Sequence, residues 1–399
     1  MYIKEITIKN IRSIDSLEMT FPKAVGWHVL IGDNGSGKSS VLKGIVMSMI
    51  PVTNVHYNKL QRKQGEESLF RLVMYKYQEE FASFMIHNDG RLVMGTPFDT
   101  NKKELVLEKS KVKVFIVGFG PFRRFNQKEN GNSDSPIIEN FRSLFDDNAN
   151  LTESLSWLQN LDYQRLEGNQ QAGKILDYLR DLMNQGDLLQ NGITLKTINS
   201  KGVFFQDEQD NEINIKEMSD GYQSILSLTF ELIRQLIKTF DPDEVFKNFA
   251  KREYSIASEG IVLIDEIDAH LHPTWQVRIG QWFTKYFPNI QFIVTTHSPL
   301  VCRACENGTI WRLATPNSDE TSGEITGIEK DRLVFGNILD AYGTEVFGQN
   351  VVRSEKSEQK LNRLGKLNIK SALGKLSIEE QNEKLQLQKI LSTDAPTGF

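Results

Sequence analysis

The sequence predicts an α/β fold with a mixed central sheet, flanking antiparallel strands and a compact helical lobe. Three observations carry that prediction. First, the apolar run Trp27–Ile31 leads straight into Gly32-Asp-Asn-Gly-Ser-Gly-Lys38-Ser39, and Ser39–Ile50 then reads as a helix with an apolar stripe at Val41, Ile45 and Met49. Second, the apolar segments Ile261–Ile264 and Phe292–Val294 run into polar residues, as central parallel strands buried on both faces do at their carboxyl ends. Third, residues 2–8 alternate as a strand does, and the strand patterns at 70–77 and 81–87 are joined through Gln78-Glu-Glu, the mark of antiparallel pairing.

The remaining elements follow in order. Asn88-Asp-Gly90 reads as a turn into a strand at Arg91–Met94. Val112–Gly118 is another buried strand, ending in Gly118-Phe-Gly120-Pro-Phe-Arg123-Arg124. The polar run Glu129–Ser135 predicts a mobile loop. From Ile137 to about Gln185 the period turns helical, through Leu151, Leu155, Trp157 and Leu158 and then Ile175, Leu176, Leu179 and Leu182. Gly192–Ile198 and Gly202–Gln206 form a hairpin pattern, and Met218-Ser219-Asp220-Gly221 precedes an apolar helical run at Ile225–Leu236. No internal repeat or long heptad run is present, so the helical insert is compact. The expected organisation is four segments: a phosphate-loop lobe at 1–135, the helical insert at 136–190, a lobe at 191–310, and C-terminal strands with a helical arm at 311–399.

Composition narrows the class. The chain is 39% hydrophobic and 25% charged, enough apolar residue for a buried core. The longest apolar runs fall far short of the ~20 residues a bilayer span needs. No leader pattern precedes the strand at the N-terminus, so a cytoplasmic location with no membrane partner is expected. With a net charge of −5 the molecule has no general attraction to nucleic acid, and any DNA contact must use a local patch.

The densest basic stretch is residues 353–375, with Arg353, Lys356, Lys360, Arg363, Lys366, Lys370 and Lys375 against Glu355 and Glu358. The spacing of Lys356, Lys360 and Arg363 puts three cations on one helical face. Ser377-x-x-Glu380 then reads as a capping box opening a helix with Leu385 and Leu387. This arm is either a solvated helical face or a docking surface for a partner or DNA. The two cysteines, Cys302 and Cys305, have no second Cys or His pair at finger-like spacing and read as buried structural thiols on a helix.

Several residues carry candidate chemistry. In a glycine loop before a helix, backbone N–H groups curl around a phosphate and the helix presents its positive end. Asn34, Gly35, Ser36, Gly37, Lys38, Ser39 and Ser40 would form that cradle, with Lys38 reaching the β- and γ-phosphates and Ser39 ligating Mg²⁺. Asp265, at the sheet's carboxyl edge, is an oxygen ligand of the kind Mg²⁺ prefers. Glu266 is placed to polarise an attacking water, and His297 to hydrogen-bond the γ-phosphate. Ser219 reads as an N-cap, and Gly221 lets a phosphate approach that helix end. A bland cap explains the serine equally well.

Taken together, "IKNIRSI" (Ile8–Ile14), "GDNGSGKSS", "MSDGYQS", "LIDEIDAHLHP" (Leu263–Pro273) and "TTHSP" resemble ABC-type ATPases of the SMC-like and OLD branch, over about residues 1–310. The resemblance implies an ABC/SMC-head-like P-loop ATPase fold, ATP with Mg²⁺, and a site completed when two copies sandwich the nucleotide. It also implies that Arg12 is the N-terminal basic residue touching phosphate and that Asp268 is the D-loop acid reading the other subunit's site. The second glycine of the usual signature is shifted here, and Gln223 follows Tyr222. No glutamine stands clearly at a Q-loop: Gln127 comes nine residues after Gly118, and Arg123–Arg124 occupies that edge, where it is expected to contact phosphate or nucleic acid.

"VGFGPFRRF" (Val117–Phe125), "SLFDD" at Ser143 and "WLQNLDY" (Trp157–Tyr163) further resemble the ATPase subunit of Septu-type anti-phage systems, whose partner is an HNH nuclease. That implies a slow, partner-regulated ATPase that forms a homodimer or higher oligomer and controls a separate nuclease. No D-x-D follows His297 and no His-Asn-His cluster occurs, so the chain carries no recognisable nuclease centre of its own. The alternative is a DNA-repair scaffold or clamp of the RecF/SMC kind that uses ATP as a dimer lock.

Overall fold

The computed structural model describes residues 2–49, 67–74, 80–86, 92–95, 98–99, 104–105, 115–123, 139–146, 153–185, 188–189, 192–315, 321–337, 355–373 and 376–391. Its contacts divide the chain into two compact units, Met1–Gly336 and Asn337–Phe399. Among the described residues, no helix is long and apolar enough to cross a membrane.

The first unit opens with the hairpin β1 (Ile3–Ile11) and β2 (Ile14–Thr20), followed by β3 (Gly26–Ile31) and helix α1 (Lys38–Met49). Strands β4 (Ser68–Met74), β5 (Glu80–Ile86) and β6 (Leu92–Gly95) extend the hairpin into an antiparallel sheet ordered β2-β1-β4-β5-β6. The short β7 (Phe98–Asp99) and β8 (Glu104–Leu105) pair with each other, and β9 (Ile116–Phe119) enters the central sheet. Helices α2 (Arg142–Phe145), α3 (Glu153–Leu166) and α4 (Gln170–Gln185) form the insert. Next come β10 (Thr194–Asn199), β11 (Gly202–Gln206) and β12 (Glu212–Asn214), a three-stranded antiparallel sheet. The third strand of that sheet has three residues, too few to show a strand period, which is why a two-stranded hairpin is all its sequence suggests.

Helices α5 (Asp220–Thr239) and α6 (Pro242–Val245) precede β13 (Gly260–Ile264), α7 (Pro273–Tyr286) and β14 (Ile290–Thr296). Strands β15 (Ile310–Arg312) and β16 (Gly323–Ile325) and helix α8 (Gly327–Phe335) close the unit. The central sheet has the order β16-β15-β3-β14-β13-β9, parallel throughout except for the edge strand β16. Every residue of β13 and β14 is buried, as a strand covered on both faces requires.

The two faces of the sheet pack differently. Ile261, Leu263 and Ile293 join Val41, Leu42 and Ile45 of α1, and Ile6, Ile8 and Phe70 of the antiparallel sheet, in one core. Phe292, adjacent to Ile293 and therefore on the opposite face, meets Trp27 and Phe283 with ring centroids 5.4 Å away in each case. Helix α7 is thus docked mainly by aromatic rings, and α1 mainly by aliphatic side chains with Phe70 seated against Gly44. Cys302 and Cys305 are free and fully buried, on the short 3-10 helix Pro299–Ala304 and its cap rather than on an α-helix. Burial pushes both thiols up, which removes thiolate reactivity.

Parallel register is what assembles the site. Thr296 lies opposite Ile31, and Ile264 opposite Val294 and Phe119. The residues following these strands therefore share one carboxyl edge, where open α/β sheets bind ligands.

The second unit contains α9 (Glu355–Ala372) and α10 (Ile378–Leu391). The Glu380 N–H donates to Ser377 Oγ at 3.1 Å and the Ser377 N–H to Glu380 Oε2 at 3.2 Å, a reciprocal capping box.

Candidate active site

β3 delivers the chain into a loop where Gly35 and Gly37 take φ of 81° and 104°, values only glycine adopts without strain. At Gly37 a side chain is also excluded sterically, since a Cβ would lie 2.8 Å from Ile14 Cγ1 and 2.9 Å from Ser13 Oγ. The next residue, Lys38, opens α1. Its ammonium donates to the carbonyls of Gly32 at 2.7 Å and Asp33 at 2.9 Å, and is 6% exposed. Burial lowers the Lys38 pKa, opposed by Asp265, Glu266, Asp33 and Asp268. Ser36 N–H closes the turn on Asp33 O at 3.2 Å, and Ser36 Oγ is buried with no hydrogen-bond partner. Thr315 Oγ1 donates to Asp33 Oδ2 at 2.8 Å, tying the loop to the segment after β15.

The acidic edge is built by β13 and its neighbour. Thr295 Oγ1 donates to Asp265 Oδ1 and accepts the Glu266 N–H at 2.7 Å. Glu266 itself stands at φ 46°, a left-handed conformation that non-glycine residues adopt at a cost of roughly 1–3 kcal/mol. Thr296, facing the other way, donates to Asp268 Oδ1 at 2.6 Å, and the His297 N–H points at the same carboxylate at 3.4 Å. Adjacent threonines on one strand thus orient two acids on opposite sides. Neither threonine was picked out by motif reading. Their place in the sequence, the two residues between the apolar run Phe292–Val294 and His297, is the one signal that could have singled them out.

One cavity of about 280 Å³ is lined by Arg12, Ser13, Asn34, Gly35, Gly37, Lys38, Ser39, Ser40, Glu266 and His297. It is at or below the small end of the ~300–1,000 Å³ typical of small-molecule sites, a size suited to a polyphosphate end. Arg12 reaches it from the β1–β2 turn at φ 48°, just past Asn10 near the end of β1, which stands at φ 50°. Ser13 was not anticipated. Ser36, Asp265, Asp268, Ser219 and Gly221 do not line this cavity.

Mg²⁺ suits the donors on this edge. Ser39 offers a hydroxyl and Asp265 a carboxylate already oriented by Thr295, both hard oxygen ligands. Among the described residues no group of three or more His, Cys, Asp or Glu is gathered as a metal site.

The signature turn lies elsewhere on the unit. Ser219 occupies the N-cap position of α5, is exposed, and makes no side-chain bond into the helix, so the simple capping role expected of it is absent. Gln223 holds the turn instead, donating to the carbonyls of Met218 at 2.8 Å and Lys216 at 3.1 Å. A Cβ on Gly221 would come 3.1 Å from His270 O, and Tyr222 packs edge-on against Trp275 at 5.3 Å. The helix N-terminus is thereby fixed against the segment after Asp268, with its serine turned outward.

One expectation for the basic residues changes. Arg123 does not contact phosphate or nucleic acid: it is 1% exposed and spends its donors on carbonyls and Ser224. Arg124, Gln127, the Asn88–Gly90 turn and the Glu129–Ser135 loop lie outside the described residues. In the C-terminal unit, Arg363 pairs bidentately with Glu383 and Lys370 pairs with Glu380 at 2.6 Å, so part of the basic face is neutralised within the hairpin. The side chains of Lys356 and Lys375 lie outside the described residues.

Comparison with known proteins adds independent findings. Residues 28–303 match the family model described as "AAA domain, putative AbiEii toxin, Type IV TA system". The chain is 28% identical to the Septu protein PtuA of Bacillus mycoides (strain KBAB4) over 77% of its length, and spans only 40% of that relative. It is 24% identical to the Retron Ec83 probable ATPase of Escherichia coli, over 78% of this chain and 71% of the relative. Among solved structures, the SMC head domain from Thermotoga maritima aligns with a TM-score of 0.44 at 14% identity, covering 82% of this chain and 99% of that one.

Proposed function

The chain belongs to this AAA-domain family, and on that premise we propose that it is an ATPase, similar to the Septu proteins, that serves anti-phage defence by binding Mg-ATP between two copies of itself and hydrolysing it slowly. One observation carries the reading. Lys38, Ser39, Glu266 and His297, supplied by three parallel strand ends, meet in one cavity, while the signature residues Ser219 and Gly221 stay outside it. In this reading a second copy brings a signature helix to each nucleotide, where its N-terminal N–H groups and dipole favour the γ-phosphate.

In that arrangement Lys38 and the loop N–H groups bind the β- and γ-phosphates. Ser39 and Asp265 would hold Mg²⁺, and the ion would supply charge neutralisation at the phosphates. Glu266 accepts the proton of the attacking water, and His297 hydrogen-bonds the γ-phosphate. ATP-driven pairing then controls a separate nuclease of the HNH type, as the Septu resemblance implies, and hydrolysis resets it. ATP turnover and ATP-dependent self-association, measured for the chain alone and with a co-purified partner and DNA, test this. Tight ATP binding with negligible turnover under all conditions would point instead to a clamp that uses ATP as a lock.

A further inference from the structure

Arg123 follows β9 and is among the largest fully buried side chains of the protein. A guanidinium is costly to bury unless all five of its N–H donors find acceptors. Here they do. Nη1 donates to Gly120 O at 2.7 Å and Asp265 O at 2.8 Å, Nη2 to Glu266 O at 2.9 Å and Ile267 O at 3.4 Å, and Nε to Ser224 Oγ at 3.2 Å. The backbone of Arg123 is held by the same helix, since Ser227 Oγ donates to its carbonyl at 3.1 Å. Burial lowers its pKa to about 10, with Asp265, Asp268 and Glu266 opposing, so the side chain stays cationic at neutral pH.

Three consecutive carbonyls converge on one guanidinium at the turn where Glu266 is left-handed. A strained backbone conformation persists only where its surroundings over-determine it. Of the two remaining donors one reaches Gly120 O and the other Ser224, which lies in the helix whose N-cap position the exposed Ser219 occupies. One side chain therefore grips both the turn carrying Glu266 and the helix that presents the signature.

We propose that Arg123 is a positioning residue that aims Glu266 and carries to it the position of α5, joining engagement of a second copy's nucleotide to water activation. This rests on the reading that Glu266 acts on water and that α5 serves a second copy. Guanidinium geometry is essential to it, because an ammonium is a point donor that cannot span three carbonyls and a hydroxyl at once.

The test is a double-mutant comparison in the full chain. Arg123→Lys should lower kcat by about tenfold or more while ATP affinity changes less than about threefold, the pattern of a lost transition-state interaction. Ser224→Ala, which leaves the carbonyl bonds in place, should lower kcat by about three- to tenfold at unchanged affinity. In a Glu266→Gln background neither change should reduce the residual rate further, because the arginine acts through Glu266. Wild-type turnover in Arg123→Lys overturns the proposal, as does an equal fold-loss with and without Glu266. Wild-type turnover in Ser224→Ala overturns the link to α5. If Arg123→Lys fails to fold, the Ser224→Ala pair decides alone. Failure of the underlying reading shows separately, as full activity in Glu266→Gln by itself.

Discussion

Thr295 donates its hydroxyl to Asp265 at 2.5 Å, across the register pairing of β14 with β13, and so fixes the carboxylate proposed to hold Mg²⁺. The same oxygen accepts the Glu266 N–H, so one threonine sets the relative position of the two acids. Partners of this kind around a metal ligand typically contribute 10–100-fold in metal affinity or activity. Thr295→Val, which keeps shape and removes the hydroxyl, is expected to lower ATP turnover by about tenfold or more and to raise the Mg²⁺ concentration needed for half-maximal rate. A Mg²⁺ titration identical to wild type would show that the hydroxyl is dispensable.

Glu266 and Lys38 should separate cleanly. Glu266→Gln should retain ATP binding, cut turnover by about 10²-fold or more, and accumulate an ATP-dependent dimer visible by light scattering. Lys38→Ala should weaken binding itself, because the ammonium stands at the floor of the loop. Equal binding by both variants would reverse the assignment.

The placement of Ser219 and Gly221 outside their own cavity leads to a mixing experiment. Lys38→Ala and Ser219→Arg chains, each inactive alone, put both lesions into one site of a heterodimer and leave the other intact. Partial recovery of ATPase activity on mixing is expected. The absence of recovery at every ratio, with heterodimers demonstrated, would falsify two independent shared sites.

His28 makes acid stability predictable. It is 1% exposed, and its Nδ1 accepts the Thr309 N–H at 3.3 Å, which leaves Nε2–H to donate to Ala24 O at 2.8 Å. Burial, assisted by Lys330 and opposed by the Ala24 carbonyl, lowers its pKa from 6.5 to about 4. The unfolded chain then binds this proton more readily than the folded one. The contribution is complete above about 6.5 and is lost as pH falls toward 4. Urea unfolding between pH 7 and 4.5 should therefore show a component on the order of 2–3 kcal/mol that is absent from His28→Gln. Parallel pH profiles for the two proteins would contradict it.

The C-terminal hairpin yields a fifth expectation. Because the cavity proposed to take ATP is lined wholly by residues of Met1–Gly336, deleting residues 353–399 should leave ATP affinity within about twofold. With Arg363 and Lys370 already paired to Glu383 and Glu380, salt-dependent DNA retention should not fall on truncation, whereas partner co-purification should if this arm docks a protein. Loss of DNA retention would restore the basic face as a nucleic-acid contact.

Much of this molecule was legible in one dimension. The run from Trp27 through Lys38 specifies strand, glycine loop and helix locally, because glycine φ values and a helix start depend on near neighbours. Ile261–Glu266 likewise announces a buried strand with acids at its end. What local sequence could not carry is the pairing of partners far apart in the chain: Thr295 with Asp265, Thr296 with Asp268, and Arg123 with Asp265, Glu266 and Ser224. Arg123 is the clearest instance. An arginine beside another arginine in an edge loop reads as exposed and anion-binding, yet its surroundings are backbone carbonyls that no composition reveals. Sequence determined which groups sit at each strand end. Parallel register and the packing of α5 decided which of them face the cavity, which face outward, and which lie buried as the clamp between them, because those outcomes depend on distances that only the assembled sheet sets.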